Sequence, residues 1–328
     1  MHQLEIFNTI PDQYNYYFDI KLPDLSSLKD INKAIVCGVG SSAFPASIIQ
    51  DHIKKLYKRD ILFICNDNEL PQWIDKNTLV IIASFSGSTT EPVSCLKAAI
   101  EKKYPLIGIS MGGEISRICG IQKIPYISLP KVNLPKYHSG IMVSAILRVL
   151  NEVNLVPKQD EEIQNIKIIL DPLMVNIRKS AESLAKKIKE RIITIYSESK
   201  DVVSADIAKL CLNETGKTLA FSQVLPESTY NEISAYEFST FPHGIILLTG
   251  PQINKKTLQK FELLQTLMVE KNIIFERINC NFEKGLYRNI YFTIYFSYLS
   301  YFIAIESEYN LYHESYSDKL RLLLKSSI

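Results

Sequence analysis

Short apolar runs alternate with stretches of helical spacing along most of this chain, and this alternation restricts the fold more than any other feature. In the first half, the apolar runs have the length of strands and are separated by polar or helical residues. Strands that alternate with helices are typical of βαβ units and of a doubly wound parallel sheet. The predicted strands are residues 33–38, 60–65, 77–83, 105–110 and 124–129, with helices at 43–56 and about 91–103.

The alternation restarts after a predicted helix at 138–151 and a charged helical connector at 158–190. A chain of 328 residues is long enough for two domains of ordinary size. We therefore predict two doubly wound α/β domains, residues 1–152 and 153–328, of which the second ends in C-terminal helices. Its predicted strands are 191–197, 244–250 and 272–279, and its predicted helices are 205–215, 254–271, 290–305 and 317–325.

The segment 290–305 is apolar on all sides and superficially resembles a membrane span. It is shorter than the ~20 apolar residues that a span needs, and it is rich in Tyr and Ser, with Arg288 and Glu306 at its ends. A helix that is apolar all round is typically buried in a large core or in a subunit interface. We expect burial, with residues 286–306 as a candidate subunit surface, and an exposed partner surface is the alternative.

The charge and cysteine content exclude several classes of protein. The net charge is +2, with 37 basic and 35 acidic residues, which predicts no binding to nucleic acid or to a membrane. The six cysteines form no C-x-x-C pair and no zinc-ligand pattern, so we expect free thiols in a reducing cytosol. The first residues lack the features of a signal peptide, which also predicts a cytoplasmic protein. The cysteines are Cys37, Cys65, Cys95, Cys119, Cys211 and Cys280.

Residues 84–90, Ser-Phe-Ser-Gly-Ser-Thr-Thr, place a cluster of hydroxyls between a strand and a helix. Hydroxyls and backbone N–H groups donate hydrogen bonds, and a helix N-terminus adds positive potential, so this loop is suited to a phosphate. It is not a Walker A loop, because no Gly-Lys-Ser/Thr follows. An ordinary helix cap with surplus hydroxyls is the alternative.

The turn at residues 38–42 follows the first predicted strand, and its two glycines let the backbone approach a ligand closely. A dinucleotide site would need a third glycine and an acidic residue after the second strand. Ala43 and Asn66 stand at those positions, which argues against a dinucleotide. The turn is therefore interpreted as a sugar or phosphate contact, or else as a tight turn without a ligand.

The segment 223–233 supplies an acidic candidate, because Glu232 stands at the start of a helical stretch. A partly desolvated carboxylate at this place is suited to act as a general base. The alternative is a solvated glutamate that favourably occupies the first turn of a helix.

Together, these three segments resemble the sugar isomerase (SIS) superfamily, and within it the archaeal-type bifunctional phosphoglucose/phosphomannose isomerases. The family's G-x-G-G-S turn is matched by residues 38–42, with Ser41 in place of a glycine. Its S-x-S-G-x-T loop is matched in full by residues 84–89. Its L-P-E-x-x-H-N-E-I segment is matched by residues 225–233, with Tyr230 in place of the His. A Pro-Arg pair of the family appears as Pro135 and Lys136, and a lysine near the C-terminus as Lys325.

The resemblance implies that the hydroxyl loop holds the phosphoryl group and that Glu232 moves a proton between C1 and C2 of the sugar. Aldose–ketose interconversion passes through a cis-enediol or enediolate, so the implied reaction needs no metal and no nicotinamide cofactor. The implied phosphate-binding residues are Ser42, Ser84, Ser86 and Thr89, and the implied substrate-binding residues are Gly38, Gly40, Ser41 and Tyr230.

The resemblance also implies a cation near O1 and O2, here Lys136 in place of the family's Arg. Ring opening is implied to use Lys325 and a histidine, with His243 favoured and His138 and His313 as alternatives. A solvated lysine is the alternative for both lysines. In related isomerases a histidine of one subunit serves the neighbouring pocket, which implies a homodimer.

The predicted function is the metal-independent interconversion of glucose 6-phosphate or mannose 6-phosphate with fructose 6-phosphate. The replacement of the family's His by Tyr230 and of its Arg by Lys136 leaves two alternatives open within the superfamily. One is an isomerase of another sugar phosphate, such as an amino sugar, and the other is a sugar-phosphate-binding protein without catalysis. A dinucleotide oxidoreductase is a more distant alternative.

Overall fold

Two parallel β-sheets form the framework of the computed structural model, which describes residues 3–268, 270–311, 316, 319, 320 and 323. The first sheet has the strand order β2-β1-β3-β4-β5, and all its neighbouring strands are parallel. The middle strand β3 is buried at every position, as expected where helices cover both faces of a parallel sheet. These strands are β1 (Lys33–Cys37), β2 (Leu62–Cys65), β3 (Thr78–Ala83), β4 (Leu106–Ser110) and β5 (Tyr126–Ser128).

Helices lie on both faces of this sheet. The helix that follows β1 buries Ile48 together with Val36, whereas the helix that follows β3 buries Leu96 together with Ile35, on the opposite face. The order of the strands therefore reverses between β1 and β3, the place where open α/β sheets bind ligands. The helices of this half are α1 (Gln3–Asn8), α2 (Ile10–Gln13), α3 (Tyr16–Asp19), α4 (Phe44–Tyr57), α5 (Thr90–Glu101), α6 (Gly113–Gln122) and α7 (Ser139–Glu152).

The second half repeats the doubly wound plan with a smaller sheet. Its strand order is β7-β6-β8-β9, again entirely parallel. The strands are β6 (Ile192–Glu198), β7 (Ala220–Leu225), β8 (His243–Thr249) and β9 (Ile273–Asn279). The helices are α8 (Asp160–Leu170), α9 (Met174–Ile188), α10 (Val202–Glu214), α11 (Ile233–Phe238), α12 (Lys255–Leu267) and α13 (Gly285–Glu306).

The predicted strands are present in both halves, which confirms the doubly wound α/β class. Five elements were not predicted. The edge strand β7 mixes polar and apolar residues and leaves Phe221 45% exposed, so it lacks a clear apolar run. The short helices α1 to α3 and the glycine-containing helix α6 were also not predicted. The predicted connector is divided by Pro172, which lies in a 3₁₀ turn between α8 and α9.

The aromatic helix α13 lies in the core of this one chain. Nearly all of its residues from Gly285 to Ala304 are buried, which confirms the prediction of burial. Its serine hydroxyls are satisfied within the helix, since Ser297 Oγ donates to the Thr293 carbonyl (2.7 Å) and Ser300 Oγ to the Phe296 carbonyl (2.6 Å). The prediction that this helix is a subunit surface is wrong, because the chain itself covers it. Among the described residues, no helix is long and apolar enough to cross a membrane.

The two halves pack in opposite directions, and this packing decides where the functional residues meet. Helices α4 and α10 contact each other in the interface. Lys55, near the end of α4, donates to the carbonyl of Lys200, just beyond the carboxyl end of β6 (2.9 Å). At the other end of the interface, the hydroxyls of Tyr137 and Thr215 lie 2.9 Å apart. The carboxyl edge of the first sheet therefore adjoins the amino edge of the second.

Candidate functional site

The glycine turn sits at the point where the strand order of the first sheet reverses. A Cβ on Gly38 would lie 2.9 Å from the carbonyl oxygen of Ala83, so the ends of β1 and β3 can approach this closely only with a glycine here. Gly40 has a φ of +56°, in the left-handed region, and it begins a single 3₁₀ turn that includes Ser41 and Ser42. The buried Ser42 Oγ accepts a hydrogen bond from the Phe85 N–H (3.2 Å), which ties this turn to the hydroxyl loop.

The hydroxyls of the loop after β3 face one another. Ser84 Oγ lies 3.1 Å from Thr89 Oγ1, and Ser86 Oγ lies 3.4 Å from each of these two oxygens. Thr89 is the residue before α5, yet its side chain makes no capping hydrogen bond, so these hydroxyls are not used to cap the helix. The loop therefore presents three converging hydroxyls at a helix N-terminus, as an anion site requires.

The loop after β4 holds this hydroxyl cluster in its conformation. Gly87 has a φ of +66°, and the Ile115 N–H donates to its carbonyl (2.9 Å). A Cβ on Gly87 would lie 1.8 Å from the Gly112 carbonyl oxygen, and one on Gly113 would lie 2.4 Å from the Ser86 carbonyl oxygen. The backbones of the two loops thus approach each other too closely for any side chain.

Lys136 lies beside this pair of loops. The 3₁₀ turn Pro135–Tyr137 packs against the Gly40–Ser42 turn, so Lys136 belongs to the same edge of the first sheet. Its Nζ lies 3.8 Å from Glu214 Oε1 and 5.0 Å from the centre of the Tyr137 ring. The ammonium and the carboxylate are both partly exposed, at 22% and 44% of their side chains, so a ligand can reach them.

Glu214 reaches this place because α10 crosses the whole second sheet. The helix starts at the carboxyl edge of that sheet, has 13 residues and is therefore about 20 Å long. It ends at the amino edge, where the hydrogen bond between Thr215 and Tyr137 holds it against the first half. Glu214 was not among the predicted site residues. One signal was available: a carboxylate in the last turn of a helix interacts unfavourably with the helix dipole, which suggests a purpose other than helix stability.

The structure does not bring Glu232 to the hydroxyl loop within one chain. Glu232 Oε2 accepts a hydrogen bond from the Tyr196 hydroxyl (3.0 Å), near the carboxyl edge of the second sheet. Burial raises the pKa of Glu232, although hydrogen bonds from Tyr196 and Gln223 act in the other direction. Because the halves pack in opposite directions, Glu232 and the hydroxyl loop stand near different edges of the interface. The catalytic role of Glu232 stays a prediction.

Tyr230 and His243 lie at different places in the second half: Tyr230 follows β7 at the carboxyl edge, whereas His243 begins β8 at the amino edge. Tyr230 is 78% exposed, and the Lys260 ammonium lies 5.1 Å from the centre of its ring. His243 packs edge-on against Tyr236 on the face of the second sheet opposite α10, and its Nε2 lies 2.6 Å from Ser239 Oγ. Burial lowers the pKa of His243.

Of the predicted histidines, His138 is the one next to Lys136. It follows the Pro135–Tyr137 turn directly, its Nδ1 lies 3.2 Å from the Leu134 carbonyl oxygen, and burial lowers its pKa. His313 and Lys325 lie outside the described residues.

Comparisons with known proteins agree with the fold and with the motifs. Residues 177–321 match the family model of the bacterial phospho-glucose isomerase C-terminal SIS domain. The bifunctional phosphoglucose/phosphomannose isomerase of Aquifex aeolicus is 25% identical over 71% of this chain and 70% of its own length. The enzyme of the same name from Thermoplasma acidophilum is 23% identical over 92% of this chain and 90% of its own length.

A solved structure shows the same architecture. The C-terminal domain of glucosamine-fructose-6-phosphate aminotransferase from Francisella tularensis superposes with a TM-score of 0.69 at 14% identity, covering 94% of this chain and 97% of that one. The chain therefore has the fold of two SIS domains. Residues 177–321 are similar to the bacterial phospho-glucose isomerase C-terminal SIS domain, and the predicted resemblance to the bifunctional phosphoglucose/phosphomannose isomerases is confirmed.

Proposed function

We propose that this protein is an aldose–ketose isomerase that interconverts glucose 6-phosphate or mannose 6-phosphate with fructose 6-phosphate. The observation that carries the proposal is the Lys136–Glu214 pair beside the hydroxyl loop. The relatives named as bifunctional phosphoglucose/phosphomannose isomerases support the choice of substrates. The proposed chemistry needs neither a metal nor a nicotinamide cofactor.

The phosphate end of the substrate binds to neutral donors in this proposal. Ser84, Ser86 and Thr89 offer hydroxyls that already face one another, and Ser42 lies beside them. The N-terminus of α5, a helix of 12 residues, adds positive potential at the same point. The dianionic phosphoryl group is thus held without a dedicated arginine, and the sugar extends from the loop towards Lys136.

Glu214 is the proposed proton carrier. A carboxylate on one face of an open-chain sugar can remove the proton from C2 and return it to C1, through a cis-enediol or enediolate. Negative charge then develops on O1 and O2, where the Lys136 ammonium, 3.8 Å from Glu214, stabilises it.

Ring opening must precede this proton transfer. His138 is the described histidine that accompanies Lys136, and we propose it as the group that takes part in ring opening, with Lys325 retained as the predicted second group. In this proposal Glu232 acts only from a second copy of the chain, and His243, on the face of the second sheet opposite α10, stays a predicted group. We propose a homodimer, in which the exposed Tyr230 (78%) and Phe238 (84%) are covered by the partner. The cytoplasmic location stays a prediction.

Two matched variants test the assignment of the base. Glu214→Gln removes the proton carrier and preserves the shape, so we expect kcat to fall by about 10²–10⁴-fold. Glu232→Gln is the control and should change kcat by no more than a few fold. Turnover is followed by coupling fructose 6-phosphate to a dehydrogenase reaction, and substrate binding is measured by calorimetry to show that the site is intact.

The results that contradict the proposal are distinct. A large loss of kcat in Glu232→Gln, together with full activity in Glu214→Gln, would identify Glu232 of a second copy as the base. Binding of fructose 6-phosphate without turnover of either aldose by the parent chain would indicate a binding protein. Turnover restricted to amino-sugar phosphates would keep the isomerase class and change its substrate.

A further inference from the structure

Three cysteines that are far apart in the sequence converge inside the first half. Cys37 and Cys65 are paired across the neighbouring strands β1 and β2, and Cys95 projects from α5 above them. Their three Sγ atoms all lie within 4.8 Å of one another. Each is buried, with exposures of 0%, 5% and 0% respectively. No short motif in the sequence connects these residues, because strand pairing and helix packing bring them together.

The surroundings of the group resemble those of a ligand site. Cys65 Sγ donates to the Glu69 carbonyl (3.3 Å) and Cys95 Sγ to the Asp67 carbonyl (3.3 Å), so both protons are directed at one turn. The remaining walls are apolar side chains of the core cluster between the sheet and α5, including Val80 and Leu96. A site of this kind excludes water and offers only sulfur among its side-chain ligand atoms.

We propose that Cys37, Cys65 and Cys95 form a buried trigonal site for a soft monovalent metal ion, Cu(I). Within the described part of the chain, the group contains three thiols and no His, Asp or Glu. Zn²⁺ in structural sites takes four ligands in a tetrahedron. Thiolate ligands select soft ions such as Cu(I). Three sulfurs without a fourth side chain therefore favour the copper ion over zinc.

Binding exchanges protons for the metal and transfers no electron. Each thiol that becomes a ligand releases its proton to solvent, so the affinity for Cu(I) increases with pH.

The cysteine group adjoins the glycine turn but faces a different side of the sheet. Cys37 is followed directly by Gly38, the first residue of the glycine turn at the carboxyl edge of the sheet. The metal site is a separate function from the proposed isomerase reaction, because its ligands face the α5 side of the sheet. Its test therefore does not depend on whether the isomerase proposal is correct.

Anaerobic titration of the full chain with Cu(I), against a chromophoric copper chelator, tests the proposal. We expect one tightly bound ion per chain and a loss of affinity of more than about 100-fold in Cys37→Ser and Cys65→Ser, beyond the 10–100-fold that loss of a supporting group costs. Cys119→Ser is the matched control, since Cys119 is equally buried (1% exposed) in the same half but lies outside the group. It should bind like the parent chain.

The proposal would be overturned if Cys65→Ser bound Cu(I) as tightly as the parent chain. It would also be overturned if Cys119→Ser lost as much Cu(I) affinity as Cys37→Ser and Cys65→Ser. X-ray absorption at the copper edge of the loaded parent chain gives a result that does not depend on the folding of any variant. Three sulfur ligands are expected, and nitrogen or oxygen ligands would overturn the assignment. Binding of Zn²⁺ in preference to Cu(I) in the same competition would overturn the choice of ion.

Discussion

Replacement of Gly87 by alanine is predicted to damage the hydroxyl loop and the stability of the first half together. Gly87 has a φ of +66°, a conformation that costs a residue with a Cβ about 1–2 kcal/mol. The new Cβ would lie 1.8 Å from the Gly112 carbonyl oxygen, a backbone atom that no change of rotamer can move away. Overpacking of this kind costs about 1–3 kcal/mol, so the variant should lose about 2–5 kcal/mol of unfolding free energy.

The same change at Gly120 is a suitable control. A Cβ there meets no atom within 4 Å, and the residue lies inside α6, where alanine is preferred to glycine by about 0.5–1 kcal/mol. Gly120→Ala should therefore be slightly more stable than the parent chain in urea unfolding, whereas Gly87→Ala should be clearly less stable.

The functional readout separates the loop from general stability. Because the displaced backbone carries Ser86 and Ser88, we expect KM for the sugar phosphate to rise in Gly87→Ala at temperatures where the variant is still folded. Inhibition by inorganic phosphate should weaken in parallel. A Gly87→Ala protein with the urea midpoint and KM of the parent chain would refute both the close approach of the two loops and the role of this loop.

Three further changes test other parts of the structure. Arg288→Met leaves the buried Asp201 without its partner at 3.0 Å and should cost about 3–5 kcal/mol of unfolding free energy near neutral pH. Because burial raises the pKa of Asp201, its protonated form favours folding, so the loss of unfolding free energy measured in urea should shrink as the pH falls towards 3.8. Lys136→Met should lower kcat by about 10²–10³-fold, whereas Lys136→Arg, which keeps the charge, should retain turnover. Asn254→Ala removes the side chain that accepts from the Lys256 N–H and should lower the thermal midpoint through a loss of about 1 kcal/mol.

The local features of the sequence predicted most of the fold because they depend on neighbouring residues alone. Strands such as β3, buried at every position, leave a continuous apolar run, and the glycine turn and hydroxyl loop follow strands directly. Strand β7 was missed because it lies at the edge of its sheet, where Phe221 is 45% exposed and the apolar pattern is incomplete.

The candidate site was predicted only in part, because the contribution of the second half of the chain depends on how the two halves pack. The order of Ser84, Ser86 and Thr89 along one loop is sufficient to place three hydroxyls together. Nothing local indicates that the end of α10 meets the first sheet, so the sequence offers Glu232, which stands in a recognisable motif, and the proposal of Glu214 needs the structure. The thiols of Cys37, Cys65 and Cys95 were missed for the same reason, since only strand pairing and helix packing bring them together.

The position of α13 has a consequence for how the protein is made. Its residues Tyr298 and Tyr301 pack their rings against Phe7, with centroids 5.4 and 6.0 Å apart, and one apolar cluster joins both halves through this helix. Contacts between such distant positions cannot form until the ribosome has synthesised almost the whole chain. During translation the faces of α4, α9 and α10 that pack on α13 must therefore stay uncovered, and premature termination before α13 would leave an aggregation-prone fragment.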